Sequence, residues 1–144
     1  MTADTQWMQE AINLAKQAGE SGEVPVGAVI VCKNQVIARG HNLTEQLTDV
    51  TAHAEIQAIT AAAQYLGAKY LKECTLYVTL EPCCMCAGAL YWSQIDRVVF
   101  AARDAKRGAS ATGTSLYHPA TIVENGVMEA ECSQLLKDFF ARKR

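Results

Sequence analysis

The chain has 144 residues, 50% of them hydrophobic and 19% charged, the composition of one globular domain with enough apolar material for a core. A net charge of −2 excludes a global attraction to nucleic acid or membrane, so any polyanion site has to be a local patch. No apolar run approaches the ~18 residues of a membrane span. The polar start Met-Thr-Ala-Asp-Thr-Gln lacks the basic and apolar segments of a signal peptide, and a cytoplasmic location is expected.

Trp7, Met8, Ala11, Ile12, Leu14, Ala15 and Ala18 recur at helical spacing and predict an amphipathic helix over about 5–18, ended by Gly19 and Gly22. The β-branched run at 26–32 predicts a buried strand. Lys33-Asn34-Gln35 turns it into a second strand at 36–40, so the pair reads as a hairpin. A polar loop then runs from His41 to Thr51. Ile56, Ile59, Ala63 and Leu66 make the buried stripe of a helix over about 52–66, with Gly67 as its stop. Residues 75–80 predict a third strand, whose end delivers Glu81-Pro82 to a helix running to about Ser93, and 97–102 predict a fourth. Strand, helix and strand here form a crossover expected to be parallel. Residues 103–120 are irregular and rich in Gly, Ser and Thr, a loop suited to function or partner contact. A short fifth strand is expected around 120–123, and Asn125-Gly126 marks a turn. Cys132, Leu135, Leu136, Phe139 and Phe140 then fit a terminal helix.

Two stretches carry chemistry: Thr51-Ala52-His53-Ala54-Glu55 and Glu81-Pro82-Cys83-Cys84-Met85-Cys86. One imidazole and two thiols suit zinc. Cys83 and Cys86 are three apart and share a helix face, whereas Cys84, two from Cys86, points elsewhere. Pro82 is placed to open that helix and Thr51 to cap the one beside His53. Thiolates at a helix start are favoured by the positive end of its dipole. With no export signal, metal binding is a better use of crowded cysteines than disulfides. Cys32, Cys74 and Cys132 read as buried small hydrophobes, and His41 and His118 as loop residues. Three protein ligands is the count of a catalytic site that keeps a position for water, since structural sites are usually closed by four. Glu55, two residues from His53, is the candidate to move that water's proton. The role of Glu81 stays open.

The longer strings Glu23-Val24-Pro25-Val26-Gly27-Ala28-Val29, Thr51-Ala52-His53-Ala54-Glu55-Ile56, Leu76-Tyr77-Val78-Thr79-Leu80-Glu81-Pro82-Cys83, Met85-Cys86-Ala87-Gly88-Ala89 and Ala102-Arg103-Asp104-Ala105-Lys106 resemble bacterial tRNA-specific adenosine deaminases. These belong to the zinc-dependent cytidine/deoxycytidylate deaminase superfamily. The resemblance runs from about Trp7 to Phe140. Val50 departs from it, standing where that family often has Pro, and the segment between His118 and Gly126 is shorter.

The resemblance implies a single α/β domain over 1–144 in three α/β/α layers, with a five-stranded mixed sheet flanked by helices. It implies one zinc per chain on His53, Cys83 and Cys86, and Glu55 as the proton shuttle. Asn42, Val26 and Ala54 are expected at the substrate, and the Cys83 backbone N–H is expected to help stabilise the reacting centre. The implied reaction is hydrolytic deamination of adenosine to inosine at wobble position 34 of tRNA, releasing ammonia. The implied partners are a tRNA anticodon stem-loop and a second copy of the chain, with no membrane and no organic cofactor. Candidate RNA contacts are Arg103, Lys106 and Arg107 in the long loop, and Arg142, Lys143 and Arg144 at the end. Phe140 joins them, because adjacent Phe139 and Phe140 cannot share a helix face, leaving one free for base stacking. A deaminase of free guanine, cytosine or cytidine would share every metal-site residue. A non-catalytic zinc-stabilised RNA-binding protein is the third reading, against which Glu55 argues.

Overall fold

A computed structural model describes residues 2–143. In chain order the elements are α1 (Ala3–Glu20), β1 (Gly27–Cys32), β2 (Gln35–His41), α2 (Ala54–Leu66), β3 (Cys74–Leu80), α3 (Cys84–Ser93), β4 (Arg97–Ala102), β5 (Ile122–Asn125) and α4 (Glu129–Lys143). The strands form one sheet in the order β2-β1-β3-β4-β5. β1 is antiparallel to both neighbours, while β3, β4 and β5 are mutually parallel. Four of the five strands therefore point the same way, and their carboxyl ends, with the start of β1, crowd one end of the sheet. Ligands of open α/β sheets sit at such an end.

Two apolar clusters divide the molecule into the three expected layers. Alternate residues of β1 face opposite sides: Ala28, Ile30 and Cys32 join α2 and α3, whereas Val29 and Val31 join α1 and α4. That strand is buried along its whole length, which is why it reads as a continuous apolar run. Lys33 and Asn34 take positive φ (51° and 63°), the two-residue turn of a tight hairpin, so β2 begins at Gln35, one residue earlier than the pattern predicts. Gly27 and Gly40 are the places where helix backbone rests on sheet. A Cβ at Gly27 would collide with the α1 backbone at Ala11, and one at Gly40 with the carbonyl of Ala54 in α2.

The fifth strand runs Ile122–Asn125, two residues later than expected. It is a fully exposed edge strand, with Ile122 60% exposed, so no burial alternation marks it in the sequence. Cys32, Cys74 and Cys132 are buried free thiols, as expected. No helix among the described residues is long and apolar enough to cross a membrane.

One polar tie crosses the layers. The Asp4 carboxylate accepts from Arg97 at 2.9 and 2.7 Å and from the Tyr77 hydroxyl at 2.6 Å, and Arg97 also reaches Glu124 at 2.6 Å. The Arg97 bonds come first in holding the Asp4 carboxyl below its usual value of 3.8. Because the pair is 26% and 30% exposed, we expect Asp4→Asn to cost only about 1 kcal/mol at pH 7. A depressed folded pKa stabilises above the unfolded value and fades as pH falls through the folded one. Denaturant unfolding should therefore show a constant parent-to-variant gap at neutral pH that closes below about pH 4.

Candidate active site

His53 occupies the N-cap of α2 and Cys83 the N-cap of α3, each in extended backbone conformation. This corrects two local expectations. Thr51 does not cap the helix: its N–H and hydroxyl both donate to Asp49 Oδ1, at 2.9 and 2.7 Å. The free amide of Ala54 instead donates to Asn42 Oδ1 at 3.0 Å. Pro82 does not open α3 either. Its carbonyl accepts from the Ala109 N–H at 2.8 Å, and the helix begins two residues later at Cys84.

His53 Nδ1 lies 3.7 Å from Cys83 Sγ and 3.5 Å from Cys86 Sγ, and the three ligand atoms fall within 4.8 Å of one another. A tetrahedral zinc with Zn–S of about 2.3 Å and Zn–N of about 2.0–2.1 Å places sulfur and nitrogen about 3.6 Å apart. The cluster matches that edge length, so it fits the metal. Cys86 is fully buried and Cys84 is exposed, in keeping with the choice between them. The Cys83 thiol is held down to about 3, first by the hydrogen bond from Cys86, with His53 also contributing. Cys86 moves the opposite way, raised by that same bond and by burial.

Glu55 is 3% exposed, and burial pushes its carboxyl up to about 7 against the pull of its own backbone amide and of His53. A carboxyl poised near neutrality can both accept and return a proton. It faces a cleft of about 460 Å³ that His53 and Cys83 also line. Val26 and Asn42 form part of its wall. Asn42 is committed at both ends, its Nδ2 donating to the Val24 carbonyl at 3.1 Å while Oδ1 takes the Ala54 amide. Ala54, expected at the substrate, is fully buried and is not among the residues that line the cleft.

Arg103, Lys106, Arg107 and Phe140 line the same cleft. Phe139 is 6% exposed and Phe140 is 48% exposed, the division required of adjacent helix residues. The other basic group is dispersed. Arg142 borders a groove between α1 and α4, and Lys143 stands over the Phe139 ring at 5.4 Å. Arg144 lies outside the described residues. His118 orders its loop, accepting the Ala120 N–H at 3.1 Å.

The residues that sequence reasoning missed or left open are carboxylates. Glu81 accepts the amides of Asp104 and Ser110 at 3.0 and 2.9 Å. Glu23 accepts those of Glu45 and Gln46 and the Thr44 hydroxyl, at 2.9–3.2 Å. Only their place in the motif strings hinted at a role.

A three-layer α/β/α domain with a His-Cys-Cys cluster and a buried carboxyl at the strand ends defines a zinc-dependent deaminase. The chain belongs to that family: the cytidine and deoxycytidylate deaminase zinc-binding region matches residues 1–102. It is 48% identical to the tRNA-specific adenosine deaminase of Bacillus subtilis, over 100% of this chain and 92% of that protein. A solved structure from studies of A-to-I editing by tRNA:A34 deaminases superposes with a TM-score of 0.86 at 44% identity, covering 92% of this chain and 99% of that one. A guanine deaminase from Bacillus subtilis is 39% identical with a TM-score of 0.68, covering 76% of this chain and 69% of that one.

Proposed function

We propose that the chain converts adenosine to inosine at wobble position 34 of tRNA by hydrolysis, with release of ammonia. His53, Cys83 and Cys86 would hold zinc, which supplies a water acidified to a pKa of about 7. Glu55 carries two protons in turn: it takes one from the attacking water and gives it to N1 of the purine, then takes the second from the hydroxyl now on C6 and gives it to the amine, which leaves as ammonia. Val26 and Asn42 shape the wall against which the base is held.

The observation that carries this reading over free-base deamination is the cationic rim. Arg103, Lys106 and Arg107 edge the cleft of a protein whose net charge is −2, beside the exposed ring of Phe140. A free base presents no phosphate to such a rim. The full-length likeness to tRNA-specific deaminases supports the same choice. The test is inosine formation in a zinc-loaded reaction with an anticodon stem-loop bearing A34, beside free guanine and cytidine. Turnover of the free compounds alone would replace this reading with the other.

If the rim meets phosphates, replacing Arg103, Lys106 and Arg107 by Ala should lower the log–log salt slope of stem-loop binding, by roughly 0.7–0.9 for each phosphate left unneutralised. Removing residues 142–144 should change it less, because Arg142 borders another groove and does not line the cleft. An unaltered slope in the rim variant would detach these residues from RNA.

We also read the chain as a cytoplasmic homodimer. α2 and α3 share one face of the sheet, and Tyr65, Tyr91 and Trp92 on them are 65%, 38% and 76% exposed, aromatic surface that a second copy would cover. Trp92→Glu should shift the mass in light scattering from dimer to monomer at micromolar concentration. A monomeric parent would remove the pairing.

A further inference from the structure

Two carboxylates that the chemistry does not use are buried as deeply as Glu55. Glu23 is 0% exposed and Glu81 4% exposed. A carboxylate withdrawn from water needs compensation. Among the described residues neither forms an ion pair with Lys or Arg. Both are answered by backbone N–H groups of distant loops. Glu23 takes the Glu45 amide on both oxygens at 3.1 Å, the Gln46 amide at 2.9 Å and the Thr44 hydroxyl at 3.2 Å. Glu81 takes the Asp104 amide on one oxygen and the Ser110 amide on the other.

The two loops are the opposite rims of the cleft. Thr44 lines one side, and Arg103 to Arg107 line the other. The pegs themselves are rooted in the scaffold. Glu81 follows the end of β3, its N–H donating to the Ala102 carbonyl at 2.8 Å, and the Glu23 N–H donates to the Ala18 carbonyl near the end of α1 at 3.0 Å. The first rim presents Leu47 and Val50 to solvent, 54% and 84% exposed, and the second presents Arg103, Lys106 and Arg107.

We propose that Glu23 and Glu81 are positioning residues for the RNA substrate, presetting the two rims in the shape that receives the single-stranded anticodon loop. The proposal rests on the tRNA reading above. A rim ordered only at binding would set its conformational entropy against affinity. A pegged rim removes that cost while leaving the chemical step at Glu55 alone.

The experiment compares steady-state deamination of an anticodon stem-loop by the zinc-loaded parent, by Glu23→Gln and by Ser110→Pro. The first variant keeps the volume but turns N–H donors towards N–H donors. The second removes the amide that Glu81 accepts and keeps the carboxylate, while also removing the Ser110 hydroxyl and restricting Ala109 before it. We expect KM to rise about tenfold in each, the scale of one charge-assisted hydrogen bond, with kcat within twofold. Parental KM with a lowered melting temperature makes the pegs mere scaffold and overturns the proposal, as does a fall in kcat at constant KM. A parent that forms no inosine in the stem-loop instead defeats the tRNA reading, and the proposal with it. Amide hydrogen exchange of the parent decides the matter even where a variant fails to fold. The amides of Glu45, Gln46, Asp104 and Ser110 should be protected without RNA, and protection that appears only on adding the stem-loop refutes presetting.

Discussion

Glu55→Gln is expected to retain one zinc per chain and the native fold, and to lose inosine formation by about 10²–10⁴-fold. Glutamine nearly matches glutamate in volume, so the 3% exposed site keeps its packing, where alanine would leave a cavity. The carboxamide cannot take a proton from water or deliver one to the base. His53 takes no hydrogen bond from Glu55, and the contact of Glu55 with the Cys86 thiol is one that a carboxamide oxygen can still accept. Metal analysis and stem-loop turnover on the same preparation separate the two effects. Near-normal deamination by a zinc-replete variant would take Glu55 out of the reaction.

Cys86→Ala should have the other large effect, loss of the metal and of all measurable turnover. Cys86 is fully buried beside Cys83 and His53, so nothing exposed can swing in to replace it. Two remaining ligands do not hold zinc against a chelator at the affinity of three. Metal that binds only the folded chain also stabilises it. A chelator should therefore lower the melting temperature of the parent and leave that of the variant unchanged. Stoichiometric zinc in Cys86→Ala, or two metals per parent chain, would overturn the assignment.

Much of this protein is written locally. The helical stripes of α1 and α4 and the β-branched run of β1 are short-range patterns, and the structure places elements on each of them. The metal ligands are equally legible, because Cys83 and Cys86 sit within one turn and His53 and Glu55 within two residues. What the sequence hides is long-range. Asp4 meets Arg97 across 93 residues, and Glu23 meets Gln46 across 23. Apart from its place in a motif string, nothing near Glu23 in the chain distinguishes it from a surface glutamate. The caps mislead for the same reason. Thr51 has the right chemistry, but Asp49 claims its hydroxyl, and an asparagine twelve residues upstream of Ala54 supplies the acceptor. The exposed edge strand β5 offers no alternation to read, which explains its shifted boundary.

The seating of α2 on Gly40 carries a consequence for mutational tolerance. The helix backbone rests on the strand at Ala54, immediately after His53, with no side chain between. A single methyl group at position 40 would lift that end of the helix and swing the imidazole away from Cys83 and Cys86. A strand glycine far from any bond to the metal thus behaves as a spacer that sets the ligand geometry. Substitutions there should lower metal retention and melting temperature together, whereas the exposed rim residues Leu47, Val50 and Lys106 can vary without disturbing the ion. Target preference can drift across such a rim while the catalytic centre stays fixed, and one scaffold can serve deaminases of different bases.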